Sequence, residues 1–215
     1  MIAKLIERVL VNGVKTGFIF PLSLATALAA EQNLITIETV LLPSGIRMAK
    51  YEITQDQWQT VMAENPSNFH KCGGNCPVEL VSWEDVQRFI TKLNRQTNLH
   101  YRLPTETEWL VACQAGEDSE YCGSNQIDEV AWYDQNSGNT TQAVGQKQAN
   151  AWGLHDMSGN VWEWTDSCWD EDCSLRVFRG GSWLTSRALV SATLRRGNIA
   201  SLRSHVLGFR LVLQP

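Results

Sequence analysis

Six cysteines, four histidines and a cluster of arginines carry most of the chemistry available to this 215-residue chain. The cysteines fall in sequence-local couples: Cys72 with Cys76, Cys113 with Cys122, and Cys168 with Cys173. Paired thiols can form disulfides, hold a soft metal or attack a substrate as thiolates. An even count suits disulfides; six cysteines allow fifteen connectivities, of which local pairing is the expectation here. Zinc fits less well, because neither Cys-x3-Cys nor Cys-x4-Cys comes with a matching second half. The histidines, at 70, 100, 155 and 205, are scattered. His155 beside Asp156 and His205 near Arg203 come nearest to an acid–base pair, yet no nucleophile, base and orienting group can be assembled around them. Arg187, Arg195, Arg196 and Arg203 lie between 184 and 207 with no acid among them, on a chain of net charge -5. The overall charge argues against general nucleic-acid binding, and the local island suits either an acidic ligand or a solvated face.

Three helix starts are legible. Thr54-Gln-Asp-Gln57, Ser82-Trp-Glu-Asp85 and Thr105-Glu-Thr-Glu108 each have the spacing of a reciprocal N-terminal cap. Behind them Trp58, Val61 and Met62, then Val86, Phe89, Ile90 and Leu93, then Trp109, Ala112 and Cys113 recur at helical intervals. Asn65-Pro66-Ser67 and Gly116 supply stops for the first and third helices. Short strands are predicted at 77–81 and 101–103, and a final strand over 208–213. Beyond Cys122 the Gly, Asn, Ser and Thr content rises and no long helix is indicated. The nine tryptophans read as core and ring packing rather than a ligand cage. Residues 1–30 read as an export signal: Lys4, Arg8 and Lys15 precede an apolar run ending in Ala27-Leu28-Ala29. That run is too short to span a membrane. Residues 31–215 are expected to form one domain.

The stretch from Arg179 to Arg210 has fixed-looking ends and an unusual middle. Gly180 and Gly181 permit backbone angles closed to other residues, and Trp183 is a large apolar anchor. From Leu184 to Leu207 there is no Lys, Glu, Gln, Met or Trp, types that fill about a quarter of the rest of the chain. No period of 2 or 3.6 runs through it, so composition alone reads it as a long surface loop.

Tyr51-Glu-Ile-Thr-Gln-Asp-Gln-Trp58, Asn65-Pro-Ser67, Pro77-Val-Glu-Leu-Val-Ser-Trp83, Tyr101-Arg-Leu-Pro-Thr-Glu-Thr-Glu-Trp109, Asn150-Ala-Trp-Gly-Leu-His-Asp-Met-Ser-Gly-Asn-Val-Trp-Glu-Trp164, Arg179-Gly-Gly-Ser-Trp183 and Gly208-Phe-Arg210 together resemble the formylglycine-generating enzyme, or sulfatase-modifying factor, family. The resemblance implies an α+β, C-type-lectin-like fold: a few helices packed on small twisted antiparallel sheets, with much irregular structure. The copper-dependent oxidase of that family uses two cysteines where this chain has Thr185 and Val190, so no copper and no formylglycine chemistry are expected. The resemblance also implies a possible calcium site, from the side chains of Asp156 and Glu163 and the carbonyls of Gly159 and Val161. Hard oxygen donors in a tight turn suit that ion.

The 184–207 stretch further resembles the variable proteins of diversity-generating retroelements, which place a randomised region there; its missing residue types are those that such mutation of AAC codons cannot produce. That likeness implies a framework of Trp183, Ser191, Ala192, Arg203 and Gly208 to Arg210. Exposed, varied ligand-binding positions would be Leu184, Thr185, Ser186, Ala188, Thr193, Leu194, Arg196, Gly197, Asn198, Ser204, His205 and Val206. The function expected is a non-catalytic, exported or surface-displayed protein binding a protein or other macromolecular target. Two alternatives stand beside it, a maturation-type enzyme acting on an exported substrate and a structural subunit of an envelope complex.

Overall fold

The computed structural model describes residues 35–215, so the export signal expected at 1–30 lies outside the described residues. Three helices begin where local capping chemistry puts them. In α1 (Gln55–Met62), α2 (Trp83–Thr97) and α3 (Glu106–Gln114) the cap hydroxyls of Thr54, Ser82 and Thr105 accept from the backbone three residues on. The side chains of Gln57, Asp85 and Glu108 reach back to the cap backbone. The three helices end at Ala63, Asn98 and Ala115, each in the left-handed region. After Cys122 the one α-helix described is the four-residue α4 (Ile127–Val130), followed by a single 3-10 turn at Arg187–Leu189.

Ten short strands build three sheets. The first, in the order β1–β2–β10–β3, pairs Thr39–Leu41, Arg47–Ala49, Val212–Leu213 and Tyr101–Arg102 antiparallel throughout. The second joins β4 (Ala131–Trp132) to β5 (Ser158–Gly159) in parallel. The third, β8–β7–β6–β9, contains Arg195–Asn198, Arg176–Arg179, Trp162–Cys168 and Leu207–Phe209. There β6 pairs antiparallel with β7 but parallel with β9. The sheets are therefore mostly antiparallel, with two parallel pairs that the expected all-antiparallel arrangement lacked.

Two strand expectations are corrected. No strand forms over 77–81: Pro77 makes a single bridge to Thr54, and at Leu80 the chain enters the left-handed region, φ 59°, to send its N–H to the Ser204 carbonyl at 3.0 Å. The final strand over 208–213 is two strands in two sheets, β9 and β10, parted at Arg210–Leu211. This split lets residues 207–213 tie the first and third sheets together around Arg210. The main core gathers Trp58, Phe89, Trp164 and Phe209, with Trp58 stacked on Phe89 at 5.1 Å. Five of the nine tryptophans are buried, and Trp169 is the exposed one, at 41%.

Candidate functional site

All three local disulfides form, Cys72–Cys76, Cys113–Cys122 and Cys168–Cys173, which leaves no free thiol. The two histidine pairings dissolve. His155 Nδ1 is bound to the Lys147 carbonyl at 2.8 Å, while Asp156 Oδ2 accepts from the Gly145 N–H at 2.6 Å. His205 is exposed against the Trp183 ring, and Arg203 is engaged elsewhere, with Asp85.

Around Asp156 the structure concentrates buried charge. Arg210, fully buried, donates from Nε and Nη2 to both oxygens of Glu163 at 2.7 Å, and from Nη2 to the His155 carbonyl at 2.8 Å. The Trp109 indole N–H donates to Glu163 Oε2 at 2.6 Å. Glu52 accepts from the Val161 N–H at 3.0 Å and the Asn160 amide at 2.6 Å, so it holds the turn that carries both expected carbonyl ligands. Gly159 sits there at φ 82°, and a Cβ would lie 2.2 Å from the Trp132 carbonyl oxygen, so glycine alone fits.

Three buried carboxylates, Glu52, Asp156 and Glu163, thus face one buried guanidinium. Burial first, and then the charges of Asp156 and Glu163, push the Glu52 carboxyl well above the usual range. Burial likewise raises Asp156, whose Oδ1 is buried without a hydrogen-bond partner. Among the described residues no three His, Cys, Asp or Glu side chains converge as a metal-ligand set by themselves. An orphaned carboxylate oxygen and a surplus of negative charge nonetheless fit a hard dication completed by carbonyls. Sequence reasoning missed Glu52, which stands in a quoted motif but shows no local sign of burial.

The 184–207 stretch leaves the third sheet after β7, contributes β8 to its edge and returns as β9. The scaffold grips this stretch mainly by its backbone. Arg179 Nη1 donates to the carbonyls of Ala192, Thr193 and Leu194 at 3.5, 2.9 and 3.5 Å, while Nη2 is fixed on Glu106 at 2.5 Å. Backbone N–H groups of Asp134, Trp83, Leu80 and Trp162 donate to the carbonyls of Thr185, Ala200, Ser204 and Val206. The Trp183 indole donates to the His205 carbonyl at 3.0 Å. Of the twelve nominated positions, Leu184, Ser186, Ala188, Thr193, Arg196 and His205 are exposed; Leu194, Gly197, Asn198, Ser204 and Val206 are half-buried.

Thr185 corrects the expectation of exposure. It is 9% exposed, because its hydroxyl closes a turn by accepting from the Ser182 N–H at 2.9 Å. At Gly197 an added Cβ would lie 2.9 Å from the Trp169 ring. Leu184, Thr185, Ser186, Arg196 and Val206 line an open hollow of about 410 Å³, joined by Leu189 and Asp134, which sequence reasoning did not single out. The basic island also shrinks: Arg195 pairs with Glu106 and Arg203 with Asp85, which leaves Arg187 and Arg196 outside any ion pair among the described residues.

The chain matches the sulfatase-modifying factor enzyme 1-like domain over residues 26–215. It belongs to that family. This sulfatase-modifying factor-like domain is 34% identical over 203 residues to the chaperone protein LppX of Paenibacillus barcinonensis, covering 66% of this chain and 71% of that protein. It is 31% identical over 159 residues to the inactive C-alpha-formylglycine-generating enzyme 2 of Bos taurus, covering 62% of this chain and 49% of that protein. The chain therefore spans only about half the length of that second relative. Among solved structures it is similar to Treponema denticola variable protein 1, with a TM-score of 0.73 and 28% identity over 84% of this chain and 92% of that one. The C-type-lectin-like fold and the likeness to retroelement variable proteins expected from the motifs are borne out. No helix among the described residues is long and apolar enough to cross a membrane.

Proposed function

We propose that this domain is an exported, non-catalytic binding protein that presents the 184–207 face to a macromolecular target, a protein above all. One observation carries the reading: the scaffold holds the stretch chiefly through its carbonyls, so the exposed side chains of Leu184, Ser186, Ala188 and Arg196 make no hydrogen bond or ion pair among the described residues, while the Thr193 hydroxyl hydrogen-bonds only with Ser191 and His205 rests on the Trp183 and Phe69 rings. Leu184 supplies apolar contact and Arg196 a free guanidinium, and arginine is a residue type enriched at protein interfaces. Three disulfides favour an oxidising compartment, in keeping with export. Calcium, held by Asp156, Glu163 and the carbonyls of Gly159 and Val161, would neutralise the surplus buried charge beside Arg210.

A maturation-type enzyme is the second reading, favoured by the hollow that contains Thr185. It lacks a partner for catalysis, since neither Thr185 nor Val190 is a thiolate and Thr185 spends its hydroxyl on Ser182. Displaying a library varied at Leu184, Ser186, Ala188, Thr193, Arg196 and His205 and selecting it against unrelated proteins tests the proposal. Folded variants with distinct targets are expected. A library from which only misfolded or non-binding members emerge would overturn it.

A further inference from the structure

A second hollow, of about 330 Å³, is lined by residues of α1, α2 and the turn at Arg203 and by none of the twelve nominated positions. Its walls combine two chemistries. Trp58, Met62, Leu80 and Val81 give it apolar surface, and Arg88 and Arg203 bring two guanidiniums to it. Asp85 fixes both cations: Arg203 donates to its two oxygens from Nε at 2.6 Å and Nη2 at 2.8 Å, and Arg88 donates through Nη2. Ser82 further braces Asp85 through its N–H and hydroxyl, at 2.9 and 2.8 Å.

This arrangement leaves donors unused. Arg203 Nη1 and Arg88 Nε and Nη1 have no partner among the described residues. Trp58 also lines the hollow; its indole Nε1 has no hydrogen-bond partner but is itself shielded within the wall. A pair of arginines already immobilised by a carboxylate loses little side-chain entropy on binding and presents planar forks suited to a second carboxylate. Unpaired donors beside apolar surface therefore favour a ligand with acceptor oxygens at one end and a hydrocarbon group at the other.

We propose that this hollow binds a free carboxylate carried on an apolar residue, either a hydrophobic α-amino acid or the C-terminus of a peptide ending in one. The exposed Glu64, also in its lining, distinguishes the two sources, because it can receive the ammonium that a free amino acid has and an internal peptide bond lacks. Arg203 belongs to the framework of the 184–207 stretch, but none of the twelve nominated positions lines this site.

Leucine, N-acetyl-leucine and leucinamide titrated into ¹⁵N-labelled protein, with affinity read by calorimetry, test the site. Saturable binding of leucine or N-acetyl-leucine is expected, with shifts at the Trp58 indole N–H and the amides of 62–64 and 203–204. Leucinamide should bind at least about tenfold more weakly, as should the leucine or N-acetyl-leucine ligand to Arg88→Gln, an exposed position whose replacement leaves the Asp85–Arg203 pair in place. Leucine alone binding identifies the free amino acid; N-acetyl-leucine binding equally well identifies a peptide terminus. Equal affinity for leucinamide, undiminished binding by Arg88→Gln, shifts confined to another face, or no saturation by about 10 mM would overturn the proposal.

Discussion

Asp156 Oδ1 is the atom whose situation most needs a chemical partner. It is buried, it takes no hydrogen bond, and it shares its surroundings with Glu52 and Glu163 while Arg210 supplies a single positive charge. A buried carboxylate left in that state costs several kcal/mol unless it is protonated or bound by a cation. Calcium at this position would stabilise the folded chain by mass action, by about 2.7 kcal/mol when the ion is about 100-fold above its Kd. Thermal unfolding with added calcium and after chelation should differ by several degrees, and Asp156→Ala should abolish the difference. Identical melting curves, with no calcium found by metal analysis, would rule the ion out.

At the scale of elements, the cap of α2 couples helix start, turn and pH. Burial alone would raise the Asp85 carboxyl, but hydrogen bonds from Arg203 and Ser82 more than offset it and hold the group at about 2. The folded value lies below the unfolded one, so the stabilisation is complete above the unfolded value and is lost as pH falls through the folded one. Urea unfolding should show Asp85→Asn less stable than the parent at pH 7 and the gap closing towards pH 2. A gap that is constant across this range would contradict the coupling. The Cys168–Cys173 loop sets a second element-level constraint, by laying Trp169 over Gly197 and stacking it 4.2 Å from the Arg195 guanidinium. Gly197→Ala should cost about 1 kcal/mol in the parent and almost nothing beside Trp169→Ala, measured as a double-mutant cycle. Equal costs in both backgrounds would show that the ring does not limit that position.

Across the whole molecule, features set by nearby residues were legible and features set by distant ones were not. Three capping boxes announce three helices because each cap is closed within four residues. The local disulfides were legible for the same reason. The break of the last strand at Arg210 was not, because it depends on Glu163, Ala49 and His155, which lie 47 or more positions away. Thr185 looked exposed since nothing in its neighbours advertises a hydroxyl turned back on Ser182. Leu80 looked like strand because its unusual φ answers to Ser204 far along the chain. The stretch 184–207 was visible by its composition, but only the structure shows that its carbonyls carry most of the attachment, with Thr185, Arg195 and Arg203 adding side-chain ties. The most direct measurement is therefore the unfolding free energy of a variant with Leu184, Ser186, Ala188, Thr193, Arg196 and His205 all replaced by Ser, Asn or Ala, using a different residue from the native one at each position. Backbone attachment predicts a value within about 1 kcal/mol of the parent. A loss above about 3 kcal/mol would show that these side chains hold the fold and would contradict a freely variable binding face.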